Sequence, residues 1–335
     1  MWSVLSTMPL PVPAPRPRKK DTAAEVRHRT ELHDFQRNAI RYGLATVAGA
    51  LLWLSARDAI PFQLAIVLLG GLAVEAARNL RRWWAWRQAN PREDRLHPDR
   101  IAEIERATVR IMSDAVKARA WFTRAIVGCV AVPSILQLVV GLERAVAIGS
   151  VEPGAVQAGE WWRLLGGTYL HGSYYHFAGN MGALLLYGSI LESKTSALRL
   201  PLVYLMCCLG GSLASVLIPP DVPSIGASGG VVGVIAYLYL FSRRQAVHFP
   251  AAFRGATASV FVGLITAGAL GFWYIDNPGH AGGALTGLLI AGLVVDTARN
   301  FGDEIPLPLL DLLGWIATAV LVAGAAVTSA ALLGA

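Results

Sequence analysis

The sequence predicts an all-α, polytopic membrane protein. Six spanning helices form a core, with an extra N-terminal hairpin before it and an extra C-terminal transmembrane helix after it. Three observations carry this. Of 335 residues, 54% are hydrophobic and only 15% charged, where a soluble domain carries about 25% charge. The mean hydropathy is +0.49, and the apolar residues fall in blocks near the roughly 20 residues that cross a hydrocarbon core. The basic residues cluster in alternate connections between those blocks, as the positive-inside rule requires.

Taken in order, residues 1–36 are expected to form a disordered, basic cytoplasmic tail. Its apolar start, Met1 to Leu10, precedes Arg16, Arg18, Lys19 and Lys20, whereas a secretory signal has the reverse order. Pro11, Pro13 and Pro15 favour extended chain. Residues 37–80 read as a membrane hairpin, with apolar blocks at about 39–55 and 60–77 turned by Arg57, Asp58 and Pro61. Residues 81–120 are an arginine-rich cytoplasmic linker. Within it Ile101, Ile104, Thr108, Ile111 and Ala115 recur at helical spacing. That pattern predicts an amphipathic helix lying on the inner leaflet, with Trp83, Trp84 and Trp86 as interfacial anchors.

The core occupies 121–300. Its apolar segments lie at about 121–141, 174–192, 198–218, 226–242, 256–273 and 278–298, and a further span at about 307–334 fills most of 301–335. A long loop, 142–173, joins the first two segments and carries Trp161, Trp162 and Tyr169. Lys194, Arg199, Arg243, Arg244, Arg254 and Arg299 fall on the same side as the 78–117 arginines, while Glu143, Glu152, Asp221 and Asp276 fall on the other. The basic side is the cytoplasm by this rule, so the N-terminus is cytoplasmic and the long loop is outside. High alanine, arginine and glycine suggest a bacterial source with a GC-rich genome, hence a bacterial cytoplasmic membrane.

The formal net charge of +7 follows from this loop pattern and does not imply a nucleic-acid partner. Cys129, Cys207 and Cys208 lie inside apolar runs and read as small buried hydrophobes. A zinc intramembrane protease would need His-Glu-x-x-His, which is absent. An aspartyl one would need two intramembrane aspartates, and Asp296 has no obvious partner. No metal and no cofactor are expected.

Polar groups inside spans are costly and are functional candidates by default. His171, His176 and Asn180 open the second core segment, and His176 and Asn180, four apart, share one helix face. They read as either a helix–helix hydrogen-bonding cluster or part of a site. Ser228 sits in Gly226-Ala227-Ser228-Gly229 at a helix start, where unpaired N–H groups could bind an oxyanion. Taken alone, a serine N-cap explains it better. His280 opens the sixth segment. Gly229 with Gly233, and Gly283 with Gly287, form two small-x-x-x-small pairs just after Ser228 and His280. Such pairs let helices approach closely. Packed together, they would bring Ser228 and His280 to one depth near the outer surface, the geometry an activated serine needs.

This joint arrangement resembles the rhomboid family of intramembrane serine proteases. Trp162-Arg163 is similar to the family's Trp-Arg motif. His171, His176 and Asn180 match its histidine–asparagine signature. Gly226-x-Ser228-Gly229-x-x-x-Gly233 matches the nucleophile motif, and His280-x-x-Gly283-x-x-x-Gly287 the base motif. Glu192 matches a glutamate at the inner end of the second segment. The resemblance implies a rhomboid core over about 121–300 and a Ser–His dyad: Ser228 attacks, and His280 takes and returns the proton. The Ser228 N–H with His176 and Asn180 would form the oxyanion hole. His171, Trp162, Arg163 and Glu192 would support the structure. Asp276 reads as a loop residue and not a third member. Val232 departs from the aromatic often found at that position. The implied partners are transmembrane protein substrates and the lipid bilayer; the oligomeric state is open. The alternative is a catalytically silent rhomboid-like protein that binds transmembrane helices. Such proteins typically lack the serine or the histidine, and both are present here. A transporter would need an internal repeat, which is not visible.

Overall fold

The computed structural model describes residues 23–55, scattered positions from 69 to 87, and 98–334 apart from 221, 247, 271–274 and 295–307. The chain divides into two compact units, Met1–Ala102 and Glu103–Ala335. In the first unit, helix α1 spans Ala23–Ser55. It begins inside the stretch expected to be a disordered tail and runs unbroken into the first apolar block. The reason is local: residues 23–38 hold no glycine or proline, and Glu25 in the first turn complements the helix dipole. The tail before Ala23, the hairpin turn, most of the second hairpin block, and Trp86, Asp221, Asp296 and Arg299 lie outside the described residues.

The amphipathic helix is α2, Pro98–Lys117. Its second half packs Ile111 and Ala115 against the core of the second unit. Helix α3, Trp121–Val140, follows and tolerates Pro133 in its interior, as spans buried among neighbours do. The connection expected to be a loop is largely helical. It contains α4 (Leu142–Gly149), α5 (Pro153–Gln157), α6 (Arg163–Gly166) and a 3₁₀ turn at Gly167–Tyr169. Each is too short for apolar periodicity to reveal. The start of α5 was nonetheless written in the sequence: Glu152 caps it, accepting from Gly154 N at 3.1 Å and Ala155 N at 2.6 Å, with Pro153 at the first position. Those N–H groups, Ala155 before Gly154, hold the exposed Glu152 carboxyl below its ordinary pKa.

The second core segment is α7 (Tyr174–Ala183), a widened π turn at Leu184–Gly188, and α8 (Ser189–Lys194). Helices α9 (Arg199–Leu217), α10 (Ser228–Arg244), α11 (Ala251–Leu270), α12 (Asn277–Val294) and α13 (Pro308–Leu333) complete the chain. Among the described residues, four helices are long and apolar enough to cross a membrane: Trp121–Val140, Arg199–Leu217, Ala251–Gly268 and Pro308–Leu333. The protein is therefore an integral, multi-pass membrane protein. Large apolar side chains face outward on these helices; Val139 is 84% exposed, which suits lipid contact.

Helices α9, α10 and α12 form the tightest part of the bundle, because glycines remove the side chains between them. A Cβ on Gly283 would run into the Gly229 carbonyl oxygen, and one on Gly287 into that of Gly233. A Cβ on Gly211 of α9 would lie 2.8 Å from the Gly279 oxygen. Helix α13 closes the other side. Its Leu321 carbonyl accepts from Tyr169 Oη at 2.8 Å, and Trp315 packs edge-on against Phe122 of α3.

Candidate active site

Ser228 is the first residue of α10, and the N-cap is Ala227, whose side chain makes no capping bond. The serine hydroxyl instead meets His280 Nε2 at 2.7 Å. The geometry thus differs from the serine N-cap that the motif alone favoured. With no side-chain cap on the first turn, the Ser228 N–H is not taken up by a capping group. His280 lies in the first turn of α12, its own N–H bonded to the Asp276 carbonyl at 3.0 Å.

The loop ahead of Ser228 is shaped by Gly226, whose φ of +121° is left-handed backbone that favours glycine. A Cβ there would also lie 2.5 Å from His176 Cε1. The loop is tied down by the preceding helical connection: Gly226 N donates to Gly167 O at 2.8 Å, and Val151 N donates to Ser224 O at 3.0 Å.

His176 and Asn180 lie one turn apart on α7. Ser173 caps that helix by accepting from His176 N at 3.1 Å. The His176 ring lies against Gly226, two residues from Ser228. Asn180 is buried, and its Nδ2 has no hydrogen-bond partner among the described residues. His171 packs edge-on against His176 with ring centres 5.1 Å apart. Its Nδ1 meets Ser134 Oγ at 3.1 Å, and its Nε2 accepts from Ala227 N at 3.4 Å. Gln137 of α3 pairs with the His171 backbone on both sides, at 2.6 and 2.9 Å. His171 therefore links α3 to the Ser228 loop.

Trp162, Arg163 and Glu192 stand elsewhere. Arg163 donates to Ser150 O at 3.2 Å and Ala147 O at 3.1 Å, pairs with Glu160 at 2.5 Å, and stacks on Trp162. These contacts satisfy carbonyls at the end of α4. Glu192 lies in α8, far along the chain from the site end of α7. Its carboxylate accepts from Phe122 N at 3.1 Å, Thr123 N at 2.8 Å and Thr123 Oγ1 at 2.7 Å. It caps α3, whose own N-cap, Ala120, offers no side-chain acceptor. Val232 is buried in α10. The glycines Gly229, Gly233, Gly283 and Gly287 form the α10–α12 contact already described.

One residue read from the sequence as a plain loop position is more. Asp276 caps α12 through Gly279 N at 2.8 Å and accepts from Ser215 Oγ at 2.7 Å and Ser224 Oγ at 2.5 Å. An Asp just ahead of Asn277-Pro278 was a readable N-cap signal, but its serine partners were not readable. Beside Ser228 is a cavity of about 20 Å³, room for the centre of one water molecule. Its polar lining includes Thr168, Ser212, Ser224, Asp276 and His280. Among the described residues, no group of three His, Cys, Asp or Glu side chains is placed to hold a metal.

Comparison with known proteins places this site in context. Residues 158–297 match the family model of the Rhomboid domain. The chain is 35% identical over 169 residues to Rhomboid protease GluP of Bacillus subtilis, covering 49% of this chain and 32% of that protein. It is 28% identical over 150 residues to RHOMBOID-like protein 6, mitochondrial, of Arabidopsis thaliana, covering 44% and 48%. A shorter match, 33% over 76 residues, is to Inactive RHOMBOID-like protein 8 of the same plant. The chain thus spans half or less of the length of the first relatives it matches.

Proposed function

Because the chain belongs to the rhomboid family, we propose that it is an intramembrane serine endopeptidase that cuts within or near transmembrane segments of other membrane proteins. The observation that carries this reading is the 2.7 Å contact between Ser228 Oγ and His280 Nε2. That is hydrogen-bond reach for a serine and its general base.

The chemistry follows from those atoms. As Ser228 Oγ bonds to the scissile carbonyl carbon, its proton passes to His280 Nε2. The carbonyl oxygen becomes an oxyanion beside the first turn of α10. The Ser228 N–H, His176 and Asn180 would donate to it; the unpartnered Asn180 Nδ2 supports this, since a buried donor without a partner calls for an explanation. His280 then gives its proton to the leaving amine as the C–N bond breaks. A water, for which the polar cavity has room, loses a proton to His280 and attacks the acyl-serine; the bond from the acyl carbon to Ser228 Oγ breaks, the new carboxyl terminus leaves, and His280 returns the proton to Oγ.

The basic loops support a cytoplasmic N-terminus, and on that reading the Ser228 end of the bundle faces the outer side. The contrary reading is a silent helix-binding protein. It draws on the short match to a relative named inactive, and the intact Ser228–His280 contact weighs against it.

The test is fluorophosphonate labelling of the purified, detergent-solubilised protein, with cleavage of a single-span reporter alongside. Wild type is expected to label and cut; Ser228→Ala and His280→Ala are each expected to do neither, with thermal stability near wild type. Cleavage undiminished in either variant overturns the mechanism. Chelators are expected to leave activity unchanged.

A further inference from the structure

We propose that Asp276 is a positioning residue for the dyad: its carboxylate locks the loop that presents Ser228 to the helix that carries His280. This rests on the reading of Ser228 and His280 as nucleophile and base.

Two helices from different parts of the chain must hold two atoms in register. The glycine contacts between α10 and α12 fix the helix separation below the site. They do not fix the loop above it, residues 222–227, in which Gly226 takes left-handed backbone. Asp276 restrains that loop from the α12 side. One oxygen, Oδ1, accepts from Gly279 N at 2.8 Å, in the first turn of α12. The other, Oδ2, accepts from Ser215 Oγ on α9 at 2.7 Å and from Ser224 Oγ at 2.5 Å. Ser224 stands four residues before Ser228 in the loop itself. The Asp276 backbone carbonyl takes the His280 N–H. One residue therefore touches the His280 turn, the Ser228 loop and the neighbouring span.

A helix cap needs only Oδ1. The second oxygen, with two hydroxyl donors from two other elements, goes beyond capping. Short O–H···O⁻ bonds of this kind are roughly twice as strong as neutral ones. From its opposite side the same loop is held by Val151 N on Ser224 O. Loss of the Asp276 bond leaves only that opposite side, with Gly226 N on Gly167 O and Ala227 N on His171 Nε2, to define where Ser228 sits, and a misplacement of about 1 Å can cost about 100-fold in rate.

The experiment uses the full-length protein in detergent. It compares wild type, Asp276→Asn, Ser224→Ala and the double variant. Asparagine caps a helix as well as aspartate does, so Asp276→Asn keeps the α12 cap but places an NH₂ group or a weaker acceptor where two hydroxyls donate. The measurements are the second-order rate of fluorophosphonate labelling, kcat and KM on a single-span reporter, and the melting temperature. Asp276→Asn is expected to lower labelling and kcat about 10- to 100-fold, with KM within about twofold and melting little changed. Ser224→Ala is expected to lose less, and the double variant no more than Asp276→Asn alone, because the two changes remove one shared bond. Wild-type labelling in Asp276→Asn overturns the inference, as do additive losses in the double variant or a rate loss that only tracks a loss of folded protein. If Asp276→Asn does not fold, Ser224→Ala decides, and an undiminished rate there overturns the inference. An unlabelled wild type overturns the dyad reading and this inference together. A labelled wild type with an unaffected Asp276→Asn overturns this inference alone.

Discussion

The Gly229 carbonyl oxygen occupies the space that a Cβ on Gly283 would need. Backbone touches backbone at this point, one turn below the Ser228–His280 contact. Neither helix can shift without breaking the other's fit, because both groups are main chain. Gly283→Val is therefore expected to force α10 and α12 apart and to destabilise by about 3 kcal/mol, the upper range for overpacking. Fluorophosphonate labelling should fall more steeply than melting temperature. Labelling retained at the wild-type rate would show that the glycine contact does not set the site.

His176 and Asn180 are proposed to stabilise the oxyanion rather than to bind substrate. His176→Ala and Asn180→Ala should each lower kcat by about 100-fold, the effect of losing one such donor, while KM stays close to wild type. Steady-state cleavage of the reporter checks this. A rise in KM with kcat unchanged would assign these residues to binding instead.

Glu192 is buried and accepts three hydrogen bonds from the start of α3. Glu192→Ala leaves those donors without their acceptor and is expected to destabilise by about 3 kcal/mol. Specific activity per folded molecule should remain near wild type, since the contact is on α3 and not at Ser228. Thermal unfolding paired with active-site titration separates the two effects. A variant that folds normally but has lost activity would contradict the capping role.

Four of the expected spans were legible in the sequence, because crossing a membrane demands length and apolarity that few other structures need, and four described helices meet that demand. The shorter helices α7, α10 and α12 were legible at their polar starts. Ser228 and His280 could be picked out together because glycine spacing records helix contact within a single segment. The start of α1 at Ala23 was not legible, because the prolines up to Pro17 favour extended chain and no apolar block begins before about residue 39. The helices within 142–173 were not legible because a helix of four to eight residues makes only one or two turns, too few for an apolar periodicity to stand out.

The sequence by itself thus determined the membrane class and four of the spans, and it singled out the residues proposed to carry chemistry, since hydrophobic length, charge side and glycine spacing are local properties. Only the tertiary structure decided that the Ser228 hydroxyl faces His280 and does not cap its own helix. It alone decided that Glu192 caps α3 across 70 residues of chain, and that Asp276 joins Ser215 and Ser224. Each of these is a hydrogen bond between elements distant in sequence. A carboxylate or hydroxyl can be satisfied by many donors, and its partner is set by which helices pack together, which no local pattern records.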